Sequence, residues 1–395
     1  MLRPTLHREH GRDKRARFPI YFVRIVDTGR GMLFKGRDPA EYFSQVYDVD
    51  NNGAFSMNRT LAALMGTAIA ASTLTAAQAQ ELNLYSSRHY DTDERLYSDF
   101  TEMTGITINR IEGNADELIA RMQAEGENSP ADVFLTVDTV RLARATEMGL
   151  LQPVESEVLE ARIPAYLQDD DNNWFAFSQR ARIIFYDRTD VANPPQTYQD
   201  LASPDYAGQV CIRSASNVYT QNITAALIAH MGAEAVEDWA TAVVGNFARA
   251  PQGGDTDQLR GIASGECDIA MSNTYYFSRI IREGDDQITP EQLANIGWVF
   301  PNQNDIGAHM NVSGGGVAAH APNRENAIAF LEYLASDQAQ QYFSAGNDEY
   351  PAVPGVGLSP SVAALGIFRP DAIDLSDIAA NVGMAVEVLN SAGWE

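Results

Sequence analysis

The sequence predicts an α/β protein of two lobes, and three observations carry that prediction. From Leu82 onward, short β-type runs alternate with helical stretches in the order βαβαβ, which builds a mostly parallel sheet flanked by helices. A second alternation of the same kind begins after Gly208. Between the two lies one unusually long strand-like run, residues 174–187, read as the first crossing between lobes. No internal repeat or low-complexity tract breaks the pattern, so a solenoid is not expected.

Taken in order, residues 82–87 read as a strand entering a loop. Residues 93–103 carry Leu96, Phe100 and Met103 at spacings of four and three, the mark of one buried helical face, and Gly105 supplies a stop. A strand over 106–111, a helix over 116–126 and a strand over 131–136 complete the first series. Beyond the crossing run, Pro194 and Pro195 open a loop and short helix, and a strand over 208–212 begins the second lobe's own sheet. Helices are expected over 222–231, 233–244 and 255–264, then a short buried strand over 268–272. The runs 295–301 and 314–318 read as strands returning to the first lobe. Amphipathic helices over 323–336 and 338–344 follow, with Ile328, Leu331, Tyr333, Leu334 and Phe343 as core. The first lobe is thus expected at 80–180 plus about 302–350 and the second at 181–301, with 351–395 a helical segment assigned to neither.

The N-terminal part has a different character. Met57-Asn58-Arg59-Thr60, a following run of Ala, Leu, Met and Thr, and the closing Ala77-Gln78-Ala79 have the three parts of a secretory signal peptide over 57–79, cleaved after Ala79. The run only reaches the lower limit for a membrane-spanning helix and is rich in small and hydroxyl residues, so an anchor is the weaker reading. A signal peptide belongs at the start of a chain. Residues 1–56, basic through Arg12, Lys14, Arg15 and Arg17, are therefore expected to be a disordered, non-native upstream extension, with translation starting at Met57.

Residues 80–395 hold no lysine, 17 arginines and 46 acidic side chains, a net charge of −29. Such a surface repels nucleic acid and anionic lipid and keeps an exported protein soluble. The two cysteines, Cys211 and Cys267, form an even count that favours a disulfide in an exported chain; two buried free thiols are the alternative.

One stretch stands out as a candidate site. Asn273-Thr274-Tyr275-Tyr276-Phe277-Ser278-Arg279 follows the buried strand at 268–272, and α/β proteins bind ligands just past strand ends. Successive strand residues face opposite ways, so adjacent phenols can address one ligand only from a turn or a helix start. Asn273 and Thr274, both good N-caps, supply such a start. An aromatic pair packed at a strand–helix corner is the plainer alternative.

Several strings occur in a telling order: Leu84-Tyr85-Ser86-Ser87-Arg88-His89-Tyr90, Asn128-Ser129-Pro130-Ala131-Asp132-Val133, Gly208-Gln209-Val210-Cys211-Ile212-Arg213, Asn217-Val218-Tyr219, Asn246-Phe247-Ala248-Arg249, Asn273-Thr274-Tyr275-Tyr276, Ser313-Gly314-Gly315-Gly316 and Gly346-Asn347-Asp348-Glu349-Tyr350-Pro351. Together, from about Leu82 to about Val353, they closely resemble the periplasmic ferric-iron-binding proteins of bacterial iron-uptake ABC transporters. The resemblance implies a hinged, two-lobed periplasmic-binding-protein fold joined by crossing strands, a periplasmic location, and a monomer that spans no membrane. It implies closure on Fe(III) and delivery to an ABC permease in the inner membrane. As metal ligands it implies Tyr90 from the first lobe and Tyr219, Tyr275 and Tyr276 from the second, with His89 an occasional ligand. Arg180 and Arg279 would stand behind these ligands. Whether a synergistic anion joins the iron stays open.

Elementary chemistry agrees. A free phenol titrates near about 10, but a bound cation can deprotonate a ligand that otherwise stays neutral. Phenolates would form with the metal, release protons, and weaken their hold in acid. Three balance the charge of ferric ion; a fourth leaves an excess that Arg180 or Arg279 could offset. Reduction makes phenolate a poorer match and offers a release route, whereas a His89 ligand would tolerate ferrous ion better. With Tyr90 on one lobe and the rest on the other, the closed form gains a ligand the open form lacks.

Two competing functions are weighed. An organic-solute or oxyanion receptor on the same scaffold would favour Ser, Thr and Asn over four phenols. A secreted hydrolase would need a nucleophile elbow or an H-E-x-x-H motif, and neither is present, so no enzymatic activity is expected. His309 and His320 are isolated, and Ser313-Gly314-Gly315-Gly316 reads as a tight turn in preference to an anion cradle.

Overall fold

The computed structural model describes residues 81–88 and 90–395, together with the backbone of four short strands upstream. The chain divides into two units, Met1–Gln78 and Ala79–Glu395. In the first, Ile20–Arg24 pairs antiparallel with Gly31–Lys35, and Tyr47–Val49 with Phe55–Met57. The expected signal peptide, beyond Met57, lies outside the described residues.

The second unit begins with strand β1 (Glu81–Ser86), which lies parallel to both β2 (Thr107–Glu112) and β3 (Val133–Thr136). The links are helices α1 (Glu94–Thr104) and α2 (Ala115–Glu125). Gly105 ends α1 as expected, in the left-handed region at φ 75°, its N–H donating to Thr101 O at 2.8 Å. The buried face of α1 is Leu96, Tyr97 and Phe100; Met103, expected in the core, is 64 % exposed because it falls in the last, outward turn. Helix α3 (Thr139–Glu147), strand β4 (Leu151–Gln152) and helix α4 (Glu157–Arg162) follow, without counterpart in the sequence expectation.

Strand β5 (Phe175–Asp187) is the predicted crossing run, buried on both faces except at its last two residues. Its first part pairs with β9 (Met310–Ala318) and β10 (Tyr350–Pro351), and its last part with β7 (Ile269–Asn273) and β8 (Ile296–Val299). The continuous strand order is β6-β7-β5-β9-β3-β1-β2, where β6 is Val210–Cys211. The parallel pairs are β1–β2, β1–β3 and β6–β7, and every antiparallel pair in this sheet involves β5 or β9, the strands that tie the two halves together.

Two expectations need correction. The run 295–301 does not return to the first half: β8 pairs with Ile184–Asp187, on the edge of β5 opposite β7. A short apolar run pairs equally well with either sheet edge, so its pattern carries no partner information. Ser313-Gly314-Gly315-Gly316 is no turn either. It lies inside β9, where a Cβ on Gly314 would stand 2.6 Å from Phe175 O and one on Gly315 the same distance from Phe134 O. These glycines let three strands approach closely.

The second half carries α5 (Val218–Met231), α6 (Ala233–Gly245), α7 (Asp255–Ser264), α8 (Thr274–Glu283) and α9 (Pro290–Asn295). Helices α10 (Arg324–Leu334) and α11 (Asp337–Asn347) bury Leu331, Tyr333, Leu334 and Phe343 as expected. The segment after Pro354 is no loose tail. Helix α12 (Pro360–Leu365) packs on α8, and α13 (Leu375–Ser391) packs on α5, α6 and α3. Trp394 follows into the core, edge-on to Phe247 at 5.1 Å, its indole N–H donating to Arg213 O at 3.0 Å. Cys211 and Cys267 are joined by a disulfide with Cα atoms 5.8 Å apart. Among the described residues, no helix is long and apolar enough to cross a membrane.

Candidate metal site

Strand β7 ends at Asn273 and α8 starts at Thr274, so Tyr275 and Tyr276 occupy the first turn of a helix, as the adjacent pair requires. Their ring centroids are 4.1 Å apart and tilted by 31°. Asn273 sits at the N-cap position but does not cap with its side chain. Its Oδ1 accepts from Arg182 Nη1 at 3.2 Å instead.

Tyr219 arrives in the same way. Helix α5 begins four residues before the expected start, because Asn217 caps it, Oδ1 accepting from Tyr219 N at 3.0 Å. The Tyr219 and Tyr275 hydroxyl oxygens are 3.2 Å apart. All three phenols therefore stand at helix N-termini, where exposed N–H groups and the helix dipole favour negative charge. Two guanidinium groups flank the Tyr219 ring, Arg213 at 5.5 Å and Arg182 at 5.8 Å from its centroid. Asp255, fully buried at the start of α7, binds both, Arg182 at 2.6 Å and Arg213 at 3.4 Å.

Tyr90 lies in the loop after β1, half-buried, with the Arg88 guanidinium 5.0 Å from its ring centroid. Arg88 is fixed by Asp93, which accepts from Nε at 2.9 Å and from Nη2 at 3.0 Å. Its Nη1 reaches Glu349 at 3.5 Å. Glu349 also pairs with Arg180 at 3.4 Å, so this buried carboxylate joins the Tyr90 loop to the crossing strand.

The electrostatics bring the four tyrosines into one neighbourhood. Burial, and after it the neighbouring Tyr219, Tyr276 and Tyr90, hold the Tyr275 phenol well above its ordinary range, with Arg180 pulling the other way. Tyr90 is raised by burial and then by Glu349, against Arg88 and Arg180. Tyr276 is raised by burial, then by Tyr219 and Asp255, against a hydrogen bond from Tyr275 and the charge of Arg213. Tyr90, Tyr275 and Tyr276 therefore keep their protons at neutral pH.

Of the two predicted arginines, Arg180 is buried among the phenols. Arg279 is not: it lies over the Tyr275 ring, 5.7 Å from the centroid, and 3.9 Å from Asp348. His89 lies outside the described residues. His309 is buried, its pKa pushed down to about 3 by burial and then by Arg182 and Arg180, so it is neutral. Among the described residues, no group of three His, Cys, Asp or Glu side chains could hold a metal ion, so a metal here would depend on the tyrosines. Sequence reasoning missed Arg88, Asp93, Arg182, Arg213, Asp255 and Glu349. Only Arg88, Arg213 and Glu349, each inside one of the strings given above, carried any signal.

Residues 95–370 match the family model described as bacterial extracellular solute-binding protein. The chain is 48 % identical over 323 residues to iron uptake protein A1 of Synechocystis, covering 81 % of this chain and 89 % of that one. Among solved structures, a Trichodesmium protein (IdiA, FutA) in complex with iron and citrate ligands is 46 % identical, with a TM-score of 0.75 over 80 % of this chain and 100 % of that one. The ferric binding protein from Campylobacter jejuni is 38 % identical, with a TM-score of 0.71 over 80 % of this chain and 100 % of that one.

Proposed function

This chain belongs to the bacterial extracellular solute-binding protein family, and from that premise we propose that it is a periplasmic receptor that binds ferric iron between two lobes and delivers it to an ABC permease in the inner membrane. Its ligands are Tyr90, Tyr219, Tyr275 and Tyr276, with Arg180 offsetting the negative charge of a fourth phenolate. The observation that carries this reading is the convergence of four phenols from three separate parts of the chain, with Tyr219 and Tyr275 in hydroxyl contact at 3.2 Å. Four converging phenols, with Tyr90, Tyr275 and Tyr276 held above the ordinary phenol range by burial, suit no neutral organic solute. They suit a hard trivalent cation that deprotonates its own ligands.

The cargo chemistry and the fold support each other. Residues 80–180 with about 302–350 form the lobe that supplies Tyr90, and residues 181–301 the lobe that supplies the other three. Iron held by both favours the closed arrangement by the ligand that the open one lacks. The polypeptide need only bind and release, and reduction of the cargo weakens the phenolate match when release is required.

Titration of residues 80–395 with a ferric chelate at neutral pH, followed by visible absorbance, tests the reading. A phenolate-to-iron charge-transfer band saturating at one equivalent is expected. A colourless protein that binds an oxyanion or organic solute without metal would move the cargo and leave the fold standing.

A further inference from the structure

Glu349 is a buried carboxylate set among groups that the tyrosine site depends on. Ser178 Oγ donates to its Oε2 at 2.7 Å, and Ser313 Oγ lies 3.5 Å from its Oε1. Arg180 Nη1 stands 3.4 Å from Oε1 and 3.1 Å from Ser313 Oγ, and Arg88 Nη1 stands 3.5 Å from Oε2. The second terminal nitrogen of Arg180 donates to the Val137 carbonyl. With both ends of its guanidinium held in this way, Arg180 keeps one buried N–H, Nε, without a hydrogen-bond partner. Arg88 is already balanced by Asp93, so Glu349 acts chiefly on Arg180.

A buried ion pair that stabilised the fold alone would gain most from a direct, fully satisfied partnership. This one is long, shared and incomplete. After Glu349, the groups whose ionisation would act most on Arg180 are Tyr219, Tyr275 and Tyr90. Resting on the tyrosine reading above, we propose that Glu349 is a positioning residue of the iron site: it fixes where the guanidinium of Arg180 sits beside the phenols, and thereby sets the charge that the bound metal experiences. It touches no cargo itself. Its negative charge raises the energy of the phenolate electrons directly and divides the positive charge of Arg180 that would otherwise lower it.

The experiment compares iron-loaded wild type with Glu349→Gln, which removes the charge and keeps the shape. The charge-transfer band is expected to move to shorter wavelength and the reduction potential of the bound iron to rise, with one equivalent still bound. Glu349→Asp, which restores a charge, should move both back toward wild type. A purely structural role would lower the melting temperature and leave band and potential where they were, and that result overturns the proposal. Should Glu349→Gln fail to fold, Ser178→Ala serves, since it releases the carboxylate from its shortest hydrogen bond without removing charge; an unmoved band there also overturns it. Absence of any band in the wild type refutes the tyrosine site, whereas a normal wild-type band with unresponsive variants refutes only the role of Glu349.

Discussion

The hydroxyl oxygens of Tyr219 and Tyr275 lie 3.2 Å apart across 56 residues of sequence, each carried by the first turn of its own helix. Two neutral phenols at that distance share one hydrogen bond; two phenolates there repel unless a cation stands between them. Tyr275→Phe should therefore change apo stability by no more than about 1 kcal/mol, while iron affinity falls roughly 100-fold, about 2.8 kcal/mol. Competition against a ferric chelate measures this. Unchanged affinity in the variant would remove Tyr275 from the ligand set.

Acid should weaken the site by a countable number of protons. Tyr90, Tyr275 and Tyr276 all hold their protons above the ordinary phenol range, chiefly through burial, so each must lose one on becoming a ligand. Affinity falls about tenfold per pH unit for each proton released, so these three alone set a slope of at least roughly a thousandfold per unit between pH 8 and pH 6. The check is affinity measured across that range against a chelator of known pH dependence. A slope near zero would mean that the phenols do not ionise on binding.

The start of α8 was legible in the sequence, because a buried run ending in Asn-Thr before two aromatics is a strand followed by a helix start. The crossing strand was legible from length alone. Tyr219 was singled out, but its helix was placed late, since Val218 and Thr220 are weak helix formers that hide the Asn217 cap. The ion pairs behind the phenols were not legible: Arg88 and Glu349 are 261 residues apart, and Arg182 and Asp255 are 73 apart. Nothing local marks such pairs, which exist only once the halves have packed. Likewise, the amphipathic pattern of α13 shows that it needs a partner without showing that α5, α6 and α3 provide one.

His309 should leave a signature in acid stability. Its folded-state pKa is depressed to about 3 by burial and by Arg182 and Arg180, whereas an unfolded histidine titrates near about 6.5. Between those values only the unfolded chain takes up this proton. The stabilisation is therefore complete above pH 6.5 and is lost as pH falls toward 3, by about 1.4 kcal/mol per unit. Urea unfolding of His309→Gln between pH 4 and 6.5 should show a slope shallower by that amount; parallel slopes would count against a buried neutral imidazole.

The bridge between Cys211 and Cys267 closes a loop with a sequence separation of 56. Its removal in Cys211→Ser/Cys267→Ser should cost roughly 4 kcal/mol, on the chain-entropy account of cross-links. Equilibrium unfolding checks this, and a loss below about 1 kcal/mol would show that the reduced chain keeps that loop closed by other means.

Strand β5 places Ser178, Arg180 and Arg182 at intervals of two, so all three project from one side of the ribbon. Ser178 and Arg180 meet Glu349, and Arg182 meets Asp255 and Asn273. The strand thus works as a ruler: two guanidinium groups are held apart by a pitch that no loop can adjust, along the seam where the halves join. A slip of one residue would turn the whole charged row to the far side and bring Gln179, Ala181 and Ile183 in its place. Mechanical seam and cargo chemistry are written on the same thirteen residues, so drift in one carries the other with it.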